Sequence, residues 1–194
     1  MAQAARDPRD ELYDAYASVP PHQHAEIVRG TLYVMSRPAP RHANAASMMG
    51  AEIGGPFQRG RGGPGGWWIL DEPELHLVAK EPVVPDLAGW RVERMPELPE
   101  TAYFTLVPDW VCEVLSRSTE KLDRDEKLPL YAEHGVRHVW LVDPIAKSLE
   151  VYTLGEAGRW REVRTHRGDT PVRAEPFDAI ELDLSALWSP PRTV

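Results

Sequence analysis

Residues 108–119 read PDWVCEVLSRST, and the run from Trp110 to Leu115 is apolar except for Glu113. Apolar residues on both faces are typical of an interior strand that is covered on both sides. Side chains alternate along a strand, so Glu113 shares a face with Val111 and Leu115. A buried carboxylate is costly unless a partner offsets its charge. The stretch therefore predicts an interior strand whose single carboxylate has a partner elsewhere, or else a strand that is not buried.

The residues that follow this strand predict a β-α-β unit. DRDEKLPLYAEHG (123–135) is typical of a helix with Gly135 as its C-cap, and VRHVWLVDP (136–144) is typical of a second strand. Strands joined through such a helix are parallel, with a right-handed crossover. The sequence thus predicts an α/β (α+β) fold with a mixed β-sheet flanked by helices.

The remaining segments predict helices, strands and one long loop. The predicted helices are ELYDAY (11–16), RHANAASMMGAEIGG (41–55) and DLSALW (183–188). The predicted strands are WWIL (67–70), ELHLVAK (74–80), PVVPDLAGWR (82–91), SLEVYTL (148–154) and RWREVRT (159–165), the last at an edge of the sheet. AEIVRGTLYVMSRP (25–38) predicts a hairpin that turns at Arg29-Gly30. Residues 54–66, with seven glycines, predict a mobile loop.

Length and composition limit the classes of protein. A chain of 194 residues predicts a single domain over 1–194, and one cysteine, Cys112, excludes an intramolecular disulfide. The N-terminus has no apolar run typical of a signal peptide, and no stretch approaches the roughly 20 apolar residues of a membrane span. We therefore expect a cytoplasmic protein. A formal net charge of −8 disfavours a large nucleic-acid interface but leaves room for a local basic groove.

A second acid, Asp86 in VVPDLAGW, also interrupts an apolar strand, and Glu74 is a third candidate on a neighbouring strand. Two carboxylates on adjacent strands would repel each other, and a divalent cation such as Mg²⁺ or Mn²⁺ between them would remove the repulsion. The alternative is that Asp86 is a turn acid after Pro85 while Glu113 pairs with an arginine or a lysine. The residues alone leave both interpretations open.

Residues 108–144, PDWVCEVLSRSTEKLDRDEKLPLYAEHGVRHVWLVDP, resemble the signature region of the Uma-two family of putative restriction endonucleases, within the PD-(D/E)XK nuclease superfamily. The segments AEIVRGTLYVMSRPAPRH and VVPDLAGW resemble earlier parts of that family in the expected order. The resemblance covers roughly residues 24–188. It implies a restriction-endonuclease-like core that binds DNA and uses Mg²⁺ or Mn²⁺. The oligomeric state is left open, and a homodimer is one possibility.

The resemblance also implies roles for individual residues. Asp86 and Glu113 match the metal-binding acids, but Leu115 stands where the superfamily has a catalytic lysine. Lys127 matches a lysine of the following helix that is thought to substitute for it, and Glu26 matches a further acid near the site. His42 matches a family histidine at the start of the first long helix, although a capping or surface histidine is the simpler interpretation.

Lys127 also has a simpler interpretation, because it could merely pair with Asp123 four residues earlier. Pro129 disfavours a helix interior, so we expect the helix to begin near Asp125 or Glu126, or to be distorted there, with Asp123 or Asp125 as N-cap. Lys127 would then lie in the first turn, with its amine in salt-bridge range of Glu113 or Asp86. Replacing Lys127 with alanine is expected to abolish activity and spare the fold.

The resemblance therefore implies a metal-dependent endonuclease that hydrolyses DNA phosphodiester bonds, with Asp86, Glu113, Lys127 and Glu26 at the site. The DNA cleft would be rimmed by Arg59, Arg61, Arg117 or Arg124. The alternative is a catalytically inactive domain of the same fold that binds nucleic acid or protein. A hydrolase of smaller phosphodiesters is a third reading. Convergence of Asp86, Glu113 and Lys127 in an open cleft would favour catalysis.

Overall fold

The computed structural model describes residues 7–188, apart from the side chains of Glu162 and Val163. Its strands are β1 His24–Val28, β2 Thr31–Met35, β3 Trp67–Asp71, β4 Leu75–Val78, β5 Glu81–Val83, β6 Leu87–Arg91, β7 Trp110–Val114, β8 His138–Asp143, β9 Ser148–Leu154 and β10 Trp160–Arg167. Six of these strands form a central sheet in the order β10-β9-β8-β7-β6-β3. β10 lies at one edge of that sheet, as the sequence predicted.

The strand that carries Glu113 lies inside this sheet. All five residues of β7 are buried, and β7 pairs with β6 on one side and β8 on the other. The pairing with β8 is parallel, whereas every other pairing in the central sheet is antiparallel. The predicted interior strand and the predicted parallel β-α-β unit are therefore both confirmed.

Alternation along β7 assigns its side chains to two hydrophobic cores. Trp110, Cys112 and Val114 belong to the core on the face covered by the helix Pro40–Ile53 and the segment 172–187. Val111 and Leu115 belong to the core on the opposite face, with buried residues of β1, β4, β5 and the helical segment 120–133. Glu113 has the same parity as Val111, so its carboxylate faces this second core.

The first half of the chain contains two α-helices, α1 Pro8–Ala17 and α2 Pro40–Ile53, both of which the sequence predicted. α2 continues directly into a π-helical turn, Gly54–Gln58, which buries Phe57 in the first core. The Gln58 amide oxygen accepts a hydrogen bond from the Ile69 backbone N–H. The prediction of a loop over residues 54–66 is therefore wrong for its first five residues, because one apolar side chain anchors them.

The helix after β7 begins earlier than predicted. It consists of α3 Glu120–Leu122, a π-helical turn Asp123–Lys127, and α4 Leu128–Glu133. Pro129 has no N–H and its ring clashes with the carbonyl four residues before it, and a widened turn at this point relieves that clash. The expected distortion is present, but neither Asp123 nor Asp125 is the N-cap. Gly135, with φ of 78°, follows the last turn as expected.

Two small antiparallel pairs of strands complete the fold. β1 and β2 form the predicted hairpin, with Arg29 and Gly30 at φ of 50° and 72°. β4 and β5 form the second pair, and β5 contacts β1. The segment 82–91, predicted as one strand, is divided into β5 and β6 by residues 84–86, which include Pro85. This break places Asp86 immediately before β6. Within residues 7–188, no helix has the length and apolar content needed to cross a bilayer.

Candidate active site

Asp86 and Glu113 lie opposite each other across two antiparallel strands. Leu87 pairs with Cys112, so the register places Asp86, one residue earlier, beside Glu113 on the same face. The Val114 backbone N–H donates a 2.7 Å hydrogen bond to Asp86 Oδ2 and fixes this carboxylate at the end of β6. Both acids line the same cleft. We expected both acids on adjacent strands with their carboxylates facing one cleft. They do face one cleft, but Asp86 lies one residue before β6 and not within it.

Lys127 lies at the centre of a group of buried acids. Its Nζ is 2.8 Å from Glu113 Oε1, 2.9 Å from Glu26 Oε1 and 3.7 Å from Asp123 Oδ1. The four residues come from three elements, since Glu26 is on β1, Glu113 on β7, and Asp123 and Lys127 on the π-helical turn. The widened turn thus brings the amine of Lys127 to the strand that carries Glu113. We call Glu26, Glu113, Asp123 and Lys127 the buried charge cluster.

One cation cannot balance three buried carboxylates. The four members of the cluster are between 2% and 4% exposed, and their charges sum to −2 when all are ionised. Burial raises the pKa of Glu113 well above its usual value, although Lys127 opposes the shift. Burial likewise raises the pKa of Asp123, to about 6. Burial therefore disfavours ionisation of both carboxylates, and a cation bound beside them would favour it.

Tyr131 also contacts Glu113. Its hydroxyl donates a 2.6 Å hydrogen bond to Glu113 Oε1, the same oxygen that contacts Lys127, and its side chain is fully buried. Asp123, Lys127 and Tyr131 follow one another at intervals of four residues, which places them on one face of the helix. The predicted contact between the Lys127 amine and Glu113 is confirmed, whereas the role of Tyr131 in holding the same carboxylate was not predicted from the sequence.

His42 holds the other acid. It lies in the first turn of α2, and its Nε2 is 3.3 Å from Asp86 Oδ1. Burial is the largest single effect and lowers the pKa of His42, but the hydrogen bond to Asp86 and the negative charges of Asp86 and Asp123 together outweigh it, so the net pKa is raised. Its Nδ1 is buried and has no hydrogen-bond partner among the described residues. His42 is therefore neither a helix cap nor a surface histidine, because its side chain is largely buried and contacts Asp86.

The cluster opens into a cleft of about 830 Å³, bounded by β2 with the segment 36–39 on one side and residues 116–127 on the other. Seven acids line it, namely Glu26, Glu72, Asp86, Glu113, Asp123, Asp125 and Glu126. Two exposed cations, Arg37 and Lys121, also line it, together with the buried Lys127. The cleft is acidic at its base, and its exposed positive charge comes from these two residues.

The arginines predicted for the rim lie elsewhere. Arg59 and Arg61 border a separate cavity of about 310 Å³, in the turn that leads to Trp67. Trp67 pairs with Arg91, at the end of β6 away from Asp86. Arg124 donates two hydrogen bonds to the Glu150 carboxylate, at 2.7 and 2.8 Å, and it does not line the cleft. Arg117 is exposed but is also absent from the cleft lining.

The third acid considered from the sequence, Glu74, is not part of this site. It accepts a hydrogen bond from the Tyr16 hydroxyl at 2.8 Å and lies 2.7 Å from His76 Nε2. Its side chain therefore connects α1 to β4 and does not line the cleft. The sequence correctly predicted that Asp86 and Glu113 are neighbours. It could not show that the Glu74 carboxylate faces Tyr16 and His76 and not the cleft.

The donor set fits a cation that needs few protein ligands. Among residues 7–188, no group of three His, Cys, Asp or Glu side chains is arranged as a metal site. Magnesium, however, is commonly held by one or two carboxylates, with water and substrate phosphate completing its octahedron. Asp86 and Glu113, on neighbouring segments at the base of an open cleft, supply oxygen ligands of that kind.

Comparisons with known proteins agree with this geometry. A crystal structure described as "a putative nuclease belonging to DUF820", from Anabaena variabilis ATCC 29413, superposes with a TM-score of 0.71 at 21% sequence identity. The match covers 91% of this chain and 97% of that chain, and it confirms the predicted nuclease-like fold. No curated protein matches the chain. The family model described as "Putative restriction endonuclease" matches residues 10–185. This chain therefore belongs to the Uma-two family of putative restriction endonucleases.

Proposed function

We propose that this protein is a metal-dependent endonuclease that hydrolyses DNA phosphodiester bonds. The observation that carries the proposal is the buried charge cluster, in which three carboxylates surround one ammonium at the base of an open cleft. A purely structural ion pair needs no excess of charge, and buried charges without compensation are strongly destabilising. An excess of −2 beside the cleft matches the charge of one divalent cation.

Asp86 and Glu113 are the proposed ligands of that cation, Mg²⁺ or Mn²⁺, both of which prefer oxygen donors. A cation bound there would polarise the phosphate and lower the pKa of a coordinated water. The chain keeps both ligands in place. The Val114 backbone N–H and His42 hold Asp86, while Lys127 and Tyr131 hold Glu113 through Oε1. This preorganisation lowers the cost of assembling the site.

Lys127 is proposed to supply the amine that Leu115 cannot supply. Leu115 is 4% exposed and packs in the second core, so that position has no access to the cleft. Lys127 lines the cleft and lies 2.8 Å from Glu113. A fixed ammonium at that point would orient the attacking water or stabilise the charge that develops on the phosphate. Glu26 would position Lys127, since it contacts the amine at 2.9 Å and accepts the Val84 backbone N–H at 2.6 Å.

The alternative of an inactive domain with the same fold rested on Leu115, on the acidic net charge and on the absence of a recognisable DNA-reading module, and the structure bears on the first of these. The position of Lys127 removes that argument, because an amine is present beside the acids although it comes from another element. Asp86, Glu113 and Lys127 converge on one open cleft, which is the arrangement expected of a catalytic site. We therefore favour catalysis over simple binding.

The test is a nicking assay on supercoiled plasmid and on single-stranded DNA, with Mg²⁺, Mn²⁺ or EDTA. We expect cleavage by the wild type only with the metal, and loss of cleavage in Glu113→Gln. Glu133→Gln is the matched control, since it changes an exposed glutamate on α4 that pairs with Arg29 and does not line the cleft. Cleavage that persists in Glu113→Gln, or a wild type that cleaves neither substrate, would overturn the proposal.

A further inference from the structure

The acids of the proposed site lie too deep for a rigid duplex to reach easily. Glu113 and Glu26 are 2% exposed, and Lys127 is 3% exposed. A phosphate must therefore enter the cleft to approach them. Duplex DNA is stiff over a length of about 150 base pairs. The duplex must therefore bend or unpair before one of its phosphates can enter the cleft. A single strand can present one phosphate at a time because its backbone dihedrals are free.

The charge of the cleft also distinguishes the two forms of DNA. Seven acids line it against three lysines and arginines, one of which is the buried Lys127. Duplex DNA carries one negative charge per about 1.7 Å of its axis, whereas a single strand carries one per about 3.4 Å. An acidic cleft with two exposed cations therefore repels a duplex more strongly than a single strand. A single strand then needs a source of affinity other than charge.

Tyr33 provides a surface of the right kind. It pairs with Glu26 across the β1–β2 hairpin, so the two side chains share one face of that hairpin. Tyr33 lines the cleft and is partly buried, with its side chain packed against the second core. Its hydroxyl makes no hydrogen bond among the described residues. Met35 lies two residues further along the same face and also lines the cleft.

We infer that the substrate is single-stranded DNA, with one base stacked on Tyr33 while the adjacent phosphate reaches Asp86 and Glu113. Aromatic side chains beside a basic rim are the usual means by which proteins hold single strands. Arg37 and Lys121 form that rim, because both line the cleft, both are exposed, and neither makes an ion pair within the described part of the chain. The inference rests on the proposed function for the identity of the reacting site.

The experiment measures binding without cleavage, with Ca²⁺ replacing Mg²⁺. A fluorescent oligonucleotide of about 12 nucleotides falls within the range that single-strand sites cover. It is compared with the same sequence as a duplex and as RNA. Tyr33→Ala and Tyr33→Leu remove the ring, and leucine keeps an apolar group against the core. Tyr33→Phe keeps the ring. Tyr103→Ala is the control, since it removes another exposed aromatic that stacks on His76 outside the cleft.

We expect the single strand to bind at least about tenfold more tightly than the duplex. Loss of one stacked base corresponds to a weakening of about tenfold in Tyr33→Ala and Tyr33→Leu. Tyr33→Phe and Tyr103→Ala should bind like the wild type. Equal or tighter binding of the duplex, tighter binding of the RNA, or unchanged binding in Tyr33→Leu would overturn the inference.

The result is separable from that of the nicking assay. A protein that cleaves plasmid in a Glu113-dependent manner, but binds single strands independently of Tyr33, would retain the proposed function and lose this inference. A protein that binds single strands through Tyr33, but whose cleavage is unaffected by Glu113→Gln, would retain single-strand binding at Tyr33 and lose the proposed function.

Discussion

Lys127 Nζ lies 2.8 Å from Glu113 Oε1, and both side chains are only 3% exposed. Burial alone would lower the pKa of Lys127, but the carboxylates of Glu113 and Glu26 outweigh burial and hold that pKa well above its usual value. The amine is therefore protonated at neutral pH. A cation inside the protein, surrounded by more negative charge than it can balance, links the stability of the fold to the chemistry of the site.

Replacing Lys127 with methionine should destabilise the protein by about 3–5 kcal/mol, because the buried carboxylates lose their only cation in the cluster. Urea unfolding at pH 8 measures the change. The sequence alone led us to expect that alanine at this position would spare the fold, whereas the burial of Lys127 among three carboxylates leads us to expect a loss of stability. Cleavage should also be lost. Saturating Mn²⁺ should raise the melting temperature of Lys127→Met more than that of the wild type, since the ion would replace the missing positive charge.

Lys121→Met is the matched control for that variant, because Lys121 is exposed and lies one and a half turns earlier in the same helical segment. Its effect on stability should stay within about 0.5 kcal/mol. If Lys127→Met and Lys121→Met were equally stable, the buried charge cluster would have no energetic importance. A Glu113→Gln protein with the same Mn²⁺-induced shift as the wild type would remove Glu113 as a ligand.

Tyr131→Phe removes one hydroxyl and keeps the buried ring. Hydrogen bonds to charged groups contribute about 1.5–3 kcal/mol, so the free energy of unfolding should fall by that amount. Tyr152→Phe is the matched control, because the Tyr152 hydroxyl donates to Glu150 over the same 2.6 Å in a partly exposed position. Screening by water should keep the loss there below about 1 kcal/mol. Equal losses in the two variants would mean that burial of the Tyr131–Glu113 pair adds nothing.

The pattern along single strands was sufficient to predict the centre of the fold. A short apolar run on both faces is typical of a strand inside a sheet, and β7 and its parallel partner β8 could therefore be predicted without a structure. The same argument identified Asp86 and Glu113, since a single acid in such a run stands out. The register that places them side by side follows from the pairing of β6 and β7.

Other parts of the site depend on contacts between distant segments. Glu26 lies in a hairpin whose sequence indicates neither burial nor a partner, and it meets Lys127 across 101 residues of sequence. Asp123 can cap a helix, pair on the surface or join a buried cluster, and only the packing of the helix against β7 selects the last. The glycines among residues 54–58 favour a loop over a helix. The burial of Phe57 outweighs that preference, and the segment is helical.

The remainder of that segment makes a close contact that alanine would disturb. A Cβ atom added to Gly63 would lie 2.4 Å from Pro56 Cβ. Gly63→Ala should therefore lower the free energy of unfolding by about 1–3 kcal/mol, as overpacking does elsewhere. Gly55→Ala is the control, because its added Cβ meets nothing within 4 Å and the residue is helical. That variant should be neutral or slightly stabilising. A Gly63→Ala protein as stable as Gly55→Ala would show that residues 59–66 do not pack against the π-helical turn.

Asp123 should give the protein an unusual dependence of stability on pH. Burial raises its pKa in the folded protein to about 6, against about 3.9 in an unfolded chain. Between these values the folded state binds more protons than the unfolded state, so this residue makes stability fall as the pH rises from about 4 to about 6. The full effect is on the order of 3 kcal/mol. Asp123→Asn should remove it, so the stability of the variant relative to the wild type should increase with pH across that interval.

Glu150 provides a control of opposite sign for the same measurement. Its hydrogen bonds from Arg124 lower its pKa, so it contributes stability that is present above about pH 4.3 and lost as the pH falls further. Relative to the wild type, Glu150→Gln should therefore become less stable as the pH rises into that range, whereas Asp123→Asn becomes more stable. Urea unfolding of the three proteins between pH 3.5 and pH 7, about the span of the two transitions, separates these contributions. A stability difference for Asp123→Asn that is flat with pH, or that decreases as the pH rises, would mean that the pKa of Asp123 is no higher in the folded protein than in the unfolded chain. In that case Lys127 would outweigh burial, and the cluster would not retain a proton on this residue.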